Sequence, residues 1–226
     1  MRKNLLQKNS DFHFFESGQK PKLLIHTGTH GDEYEVINIV TECLKNYESR
    51  LPAFIFVPQV SPSAVAAKSR FNHRSTDINR IFYENSDDLE VQWNLQVLKK
   101  GPFDLFVSFH EDPESTDYYL YDSGRSKIES ELIKTHNQKI KKQSIGLLNG
   151  LDDPSDPALG YAFIEGYKKF VHKEGGSDNG MIIVWAINHH RVNNCLIPEI
   201  PGKLELKKKE FIIDTFFSDV IIRYFN

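Results

Sequence analysis

The sequence has little of what marks several common classes of protein. Its 226 residues include only two cysteines, Cys43 and Cys195, and neither lies in a CxxC pair. A cysteine-based zinc site and a disulfide framework are therefore not expected. Basic residues are not in excess either, because 28 lysines and arginines are balanced by 31 acidic residues and the formal net charge is −3. This balance argues against a nucleic-acid-binding protein, which needs a basic surface.

Long apolar runs are also missing. No stretch reaches the roughly 18 apolar residues that a membrane span needs. The first residues, MRKNLLQKNSDF, lack the apolar segment of a signal peptide, so we expect a cytoplasmic protein. Neither a GxSxG serine-hydrolase turn nor a GxxxxGK phosphate loop occurs. The basic run Lys207–Lys209 is interpreted as a solvent-exposed helix start.

The sequence does contain apolar strands that alternate with amphipathic helices. Short apolar runs predict strands, and apolar residues three or four apart predict helices. The predicted strands are DFHFF (11–15), KLLIHT (22–27), AFIFVPQV (53–60), FDLFVSF (103–109), DYYLYD (117–122), MIIVWAI (181–187) and NNCLIPEI (193–200). The predicted helices cover 33–47, 89–100, 127–142 and 207–224, and 149–160 is a predicted loop. This pattern favours one α/β domain over residues 1–226, with a mixed, mainly parallel sheet and helices on both faces.

Polar side chains follow the predicted strands at the sheet edge where ligands gather in such folds. His30 and Glu33 in HTGTHGDEYE are three residues apart at a turn before a helix, so both can reach one metal ion. His110 ends the buried strand predicted at FDLFVSF and is the candidate third ligand in a mixture that zinc accepts. Alternatives stay open. Asp32 and Glu33 could only stabilise a helix start, or His26, four residues before His30, could bind the metal. Glu111 and Asp112 are alternative metal ligands beside His110.

Two further clusters carry groups for substrate binding and catalysis. The stretch RFNHRSTDINRIF offers Arg70, Asn79 and Arg80, and the planar guanidinium of arginine pairs with carboxylates. A charged surface loop is the alternative. Glu199 in CLIPEIPG lies in an apolar strand, where burial would raise its pKa toward the range of a general base. The alternative for Glu199 is an ion pair with a lysine or arginine.

The motifs HGDE, DINRIF, SFHED and IPEIPG, in this order, resemble those of the zinc carboxypeptidase family, especially its branch of succinylglutamate desuccinylases and aspartoacylases. The resemblance implies that His30, Glu33 and His110 bind one zinc ion. It also implies that the chain shares the α/β fold of that family. The chain is short for a carboxypeptidase, and no second β-domain like that of aspartoacylases is predicted.

The same resemblance implies a zinc-dependent hydrolase that cleaves an amide bond in a substrate with a free carboxylate. That substrate is a small peptide or an N-acyl amino acid, and no nucleic-acid or membrane partner is expected. Glu199 matches the general base, and Arg70 is similar to an arginine that polarises the scissile carbonyl. Arg80 matches an arginine that binds substrate or polarises that carbonyl, with Asn79 beside it as a substrate-binding residue. A zinc-binding relative without activity is the alternative from another class. The family's substrate-capping tyrosine has five candidates here, Tyr118, Tyr119, Tyr121, Tyr161 and Tyr167.

Overall fold

A ten-stranded mixed sheet runs through the protein, in a computed structural model that describes residues 1–7, 11–124, 130–153, 160–171 and 176–226. The strands are β1 (Arg2–Leu5), β2 (His13–Ser17), β3 (Leu23–His26), β4 (Phe54–Val57), β5 (Phe103–Ser108), β6 (His110–Asp112), β7 (Asp117–Gly124), β8 (Gly146–Leu147), β9 (Gly150–Leu151), β10 (Ala162–Phe163), β11 (Tyr167–Val171) and β12 (Val192–Pro201). The α-helices are α1 (Glu35–Tyr47), α2 (Pro62–Ala67), α3 (Leu89–Leu98), α4 (Ser130–Lys142), α5 (Ile182–Asn188), α6 (Leu206–Phe216) and α7 (Ile222–Tyr224). Short 3₁₀ turns cover Glu48–Arg50 and Ile78–Arg80, and a π turn covers Phe217–Ile221.

The sheet is mixed and mainly parallel, which confirms the predicted fold class. Its strand order is β1-β2-β4-β3-β5-β12-β7-β11, while β6 pairs with β12, β8 pairs with β7, and β9 with β10 forms a separate ribbon. Strands β4, β3, β5 and β12 run parallel to one another. Strand β7 is antiparallel to β12. The carboxyl ends of β3, β5 and β12 therefore meet at one edge of the sheet.

Helices cover both faces of the sheet, as predicted, because successive strand side chains point to opposite sides. In β3, Leu23 and Ile25 pack in one apolar cluster with residues of α1, α4 and α6. Leu24 between them belongs to a second cluster, which contains residues of α3 and α5. Both faces of the central strands are thus buried. In the described ranges, no helix has the length and hydrophobicity needed to cross a membrane.

The prediction of a strand at 181–187 was wrong, because this segment forms helix α5. An apolar run of this length does not separate a buried strand from a buried helix by periodicity. The helix buries Ile182, Trp185 and Ala186, which are spaced by three and four residues. Trp185 packs edge-on against Phe82, with 5.8 Å between the ring centroids. The helix therefore covers a face of the sheet and adds no strand to it.

Four other expectations differ from the structure in detail. Helix α1 begins at Glu35, so Glu33 lies in the preceding turn. Strand β5 ends at Ser108, and His110 starts the short strand β6 rather than ending a buried one. Lys209 is buried, so the basic run is not fully exposed to solvent. The predicted loop 149–160 contains the short strand β9. The predicted helix start at 127–129 and the loop residues 154–159 lie outside the described residues.

Candidate metal centre and catalytic site

The turn after β3 carries the first two candidate metal ligands and is held by close backbone packing. Gly31 lies between His30 and Glu33, and a Cβ at this position would be 1.8 Å from the Ala64 carbonyl oxygen. The Gly31 amide donates a hydrogen bond to the Ser69 carbonyl at 2.8 Å. Only glycine therefore allows the turn to approach α2 this closely.

His30, Glu33 and His110 form a buried group whose ligand atoms all lie within 4.8 Å of one another. Glu33 Oε1 is 2.5 Å from His30 Nδ1, and Glu33 Oε2 is 2.9 Å from His110 Nδ1. All three side chains are less than a tenth exposed. Two imidazoles and one carboxylate around a common point are a donor set that fits zinc with one position open.

Opposite charges in this group shift its pKa values strongly. Burial by itself lowers the pKa of His30, but the carboxylates of Glu33 and Asp77 outweigh it and raise this pKa to about 9. Burial likewise raises the pKa of Glu33, and the two histidines outweigh it and hold this pKa well below its usual range. The carboxylates thus attract positive charge to this group, and a metal ion that binds there has to displace protons from the imidazole nitrogens.

Asp77 contacts the Nε2 side of the His30 ring, and the sequence alone did not indicate a role for it. Its Oδ1 is 3.1 Å from His30 Nε2 and accepts a hydrogen bond from the backbone amide of Asn79 at 2.8 Å. Its Oδ2 is 2.9 Å from the Arg70 guanidinium. A carboxylate on the remote imidazole nitrogen fixes the ring orientation and increases ligand basicity. The sequence feature that could have indicated this role is the position of Asp77 at the start of the DINRIF motif. On the second histidine, Ser108 Oγ is 3.1 Å from His110 Nε2.

Lys209 of α6 joins the two segments that carry the candidate ligands, and the sequence alone did not indicate this role. Its Nζ donates to Glu35 at 2.6 Å and to Glu111 at 2.5 Å. Glu35 begins α1, two residues after Glu33. The Glu111 backbone amide donates to Glu33 Oε2 at 3.3 Å. This ion-pair network, in which Lys209 and Glu111 are buried and Glu35 is partly exposed, connects α6 to both segments.

All seven side chains that the sequence singled out line one cavity of about 330 Å³, namely His30, Glu33, Arg70, Asn79, Arg80, His110 and Glu199. This volume suits a ligand of amino-acid size. Of the five candidate tyrosines, Tyr119, Tyr121 and Tyr161 line the cavity. The structure therefore brings together residues that are up to 169 positions apart, from 30 to 199.

Glu199 lies on β12 opposite His110 of β6 and Tyr119 of β7. Burial raises its pKa to about 8, against the attraction of His110 and with a further contribution from the Glu33 carboxylate. Within the described part of the chain Glu199 forms no ion pair with a lysine or arginine. A cation at the neighbouring ligands would lower this pKa toward neutrality, which is the range of an effective general base.

Asn79 and Arg80 are held against the start of α5. Asn79 Oδ1 accepts the Ile182 amide at 3.0 Å, and the Arg80 guanidinium donates to the Asn79 carbonyl at 3.1 Å. Gly180 lies so close that a Cβ there would be 2.2 Å from the Arg80 carbonyl oxygen. Helix α5 therefore forms the part of the cavity wall that adjoins Arg80.

Comparison with known proteins adds family information to this geometry. Residues 19–156 match the sequence model described as the succinylglutamate desuccinylase/aspartoacylase catalytic domain. This match covers more than half of the chain. No curated protein matches the sequence.

Several solved structures share the fold. A protein from Shewanella denitrificans, provisionally named a metallopeptidase, aligns with TM-score 0.73 at 18% identity over 98% of this chain and 83% of that chain. A metallo-carboxypeptidase from Pseudomonas aeruginosa, in complex with (2-guanidinoethylmercapto)succinic acid, aligns with TM-score 0.62 at 16% identity over 93% and 60%. A succinylglutamate desuccinylase from Silicibacter sp. TM1040 aligns with TM-score 0.57 at 17% identity over 94% and 60%. At these identities the likeness concerns the fold.

Proposed function

The chain belongs to the succinylglutamate desuccinylase/aspartoacylase catalytic-domain family, and on that premise we propose that it is a zinc-dependent amide hydrolase. The family resemblance predicted from the motifs is thereby confirmed. The proposed substrate is a small molecule with a free carboxylate next to the scissile amide. The observation that carries the proposal is the convergence of His30, Glu33 and His110 beside Glu199 in one cavity.

One zinc ion is the proposed cofactor, held by His30, Glu33 and His110. The nitrogen and oxygen donors favour zinc over calcium or magnesium, which prefer oxygen ligands. Asp77 would keep the His30 ring oriented toward the ion. Bound there, zinc supplies Lewis acidity, which polarises an amide carbonyl and acidifies water.

The chain's own residues have distinct proposed roles in the hydrolysis, in which water and an amide become a carboxylic acid and an amine. Glu199 takes the proton from the attacking water and passes it to the leaving amine nitrogen. Arg70, held by Asp77, places positive charge where the carbonyl oxygen becomes negative. Arg80 and Asn79 bind the substrate carboxylate, since the guanidinium offers two parallel donors.

Two versions of this function differ in the group on the other side of the amide. A carboxypeptidase removes a C-terminal residue from a peptide, and an N-acyl amino acid deacylase removes an acyl group. The Pseudomonas aeruginosa metallo-carboxypeptidase binds a succinic acid derivative, which supports a carboxylate-bearing ligand for the shared fold. The family match favours the deacylase version. A zinc-binding relative without activity is the alternative from another class.

The test combines metal analysis with turnover assays. Purified protein is expected to contain one zinc per chain by elemental analysis and to hydrolyse N-acyl amino acids or short peptides in a chromatographic assay. Glu199→Gln should keep zinc and lose activity by about 10²- to 10⁴-fold, the usual contribution of a general base. His30→Ala should lower the zinc content.

The matched control is Glu210→Gln, which removes the charge of an exposed glutamate on α6. It should change neither zinc content nor activity. Full activity in Glu199→Gln would refute the general-base role, and unchanged zinc in His30→Ala would refute the ligand assignment. Stoichiometric zinc without turnover of any carboxylate-bearing amide would favour the inactive relative.

A further inference from the structure

One wall of the cavity is aromatic, and two of its tyrosine hydroxyls already donate to carboxylates. Tyr121 lies 6.5 Å from Tyr161 and 6.0 Å from Phe170, measured between ring centroids, and Tyr161 lies 4.6 Å from Phe170. The Tyr121 hydroxyl donates to the Asp152 carboxylate. In the same way the Tyr119 hydroxyl donates to Asp112 at 2.8 Å. These hydroxyl protons are therefore committed to carboxylates, and the wall offers ring surface to a ligand.

A second apolar surface adjoins the proposed carboxylate-binding residues. Ile182, Ile183 and Val184 of α5 line the cavity, and Asn79 and Arg80 are held directly against the start of this helix. In an amino acid the carboxylate and the side chain are attached to the same carbon. A carboxylate bound at Arg80 therefore places that side chain beside α5 or the aromatic wall.

The charges of the cavity disfavour a second carboxylate in the ligand. Among the described residues, the lysines and arginines that line it are Arg70 and Arg80, and Arg70 contacts Asp77 at 2.9 Å. The acidic lining residues beyond the metal group are Glu111, Asp112, Asp153 and Glu199. Carboxylates close to a substrate carboxylate destabilise its charged form. Two carboxylates in one ligand would thus compete for the same two arginines.

We infer that the cavity selects substrates in which an apolar or aromatic side chain, rather than an acidic one, is attached next to the recognised carboxylate. This inference rests on the proposed function and names its substrate class. It separates this chain from a desuccinylase of succinylglutamate, whose substrate carries several carboxylates. Differences of one methylene in an apolar pocket change specificity about 10- to 200-fold. Leucine or phenylalanine against aspartate should therefore differ by at least about tenfold in kcat/KM.

The first experiment compares hydrolysis by the zinc-loaded protein. The substrates are N-acetyl-leucine and N-acetyl-phenylalanine against N-acetyl-aspartate and N-succinyl-glutamate. A kcat/KM at least about tenfold higher for the apolar pair is expected, by the same pocket argument. Equal values, or a preference for the acidic pair, would overturn the inference.

A binding experiment keeps the inference testable if no compound is cleaved. Dissociation constants of the same four compounds are measured by calorimetry with zinc-loaded Glu199→Gln. Tighter binding of the apolar pair without turnover in the native protein would support the inference and contradict the proposed function. Tighter binding of the acidic pair, or no measurable binding of the apolar pair, would overturn the inference.

A variant with a matched control tests the role of α5. Ile183→Arg adds a cation to the apolar surface. The ratio of kcat/KM for the apolar pair to kcat/KM for the acidic pair should fall by at least about tenfold, the size of effect expected from a change in such a pocket. Ile164→Arg makes the same change at a side chain that is 76% exposed and does not line the cavity, so it should leave the ratio unchanged. Both variants are first checked for a cooperative thermal transition. An unchanged ratio in folded Ile183→Arg would contradict the inference.

Discussion

His136, a buried histidine of α4, allows us to predict how much the free energy of unfolding falls in acid. Its ring lies 5.3 Å from the Tyr118 ring and 5.3 Å from the Phe216 ring, measured between centroids. The residue is fully buried, and within the described ranges neither ring nitrogen has a hydrogen-bond partner. This burial lowers the pKa of His136 from 6.5 to about 3. The folded protein therefore keeps the ring neutral where the unfolded chain charges it.

The sign follows from proton binding in the two states. Between pH 3 and 6.5 the unfolded chain binds more protons at His136 than the folded protein, so the free energy of unfolding falls as the pH falls below 6.5. At pH 5 the unfolded side chain is almost fully protonated and the folded one is neutral. This difference in proton binding lowers the free energy of unfolding by about 2 kcal/mol at pH 5 relative to pH 7.

Urea unfolding at pH 7 and pH 5, in the presence of a metal chelator, measures this cost. The native sequence should lose about 2 kcal/mol more than His136→Phe between the two pH values. His26, whose pKa burial also lowers to about 3, is present in both proteins, so its contribution cancels. The control Ile140→Val, a buried change on the same helix, should lower stability by about 1 kcal/mol at both pH values. Equal losses in the native and His136→Phe proteins would refute the assignment to this ring.

Two further changes test the residues that contact the proposed metal ligands. Asp77→Asn removes the carboxylate charge that faces Nε2 of His30, a proposed zinc ligand, and zinc affinity in a chelator competition should fall about 10- to 100-fold. The exposed Asp87→Asn should leave it unchanged. Lys209→Met leaves the buried Glu111 without its cation and should lower the free energy of unfolding by about 3 kcal/mol in urea titrations. Lys207→Met on the exposed part of the same helix is its control, and equal losses in the two lysine variants would contradict this reasoning.

Local sequence patterns predicted the parts of the site that depend on neighbouring residues. His30 and Glu33 come together because a three-residue spacing at a turn places both side chains on one side. His110 and Glu199 follow apolar runs, and such runs mark buried strands whose carboxyl ends share an edge. Their catalytic and ligand roles stay predictions. The sequence pattern could not predict helix α5, because a short apolar run is compatible with both a strand and a helix.

The sequence by itself determined the order of the motifs, the α/β class and the family. Only the tertiary structure decided which distant groups meet. Lys209 looked like one of three exposed lysines, yet its partners Glu111 and Glu35 are 98 and 174 positions away. Asp77 likewise reaches His30 across 47 positions. Burial and periodicity are local properties that a pattern carries, whereas the partner of a charged side chain depends on packing between elements far apart in the chain.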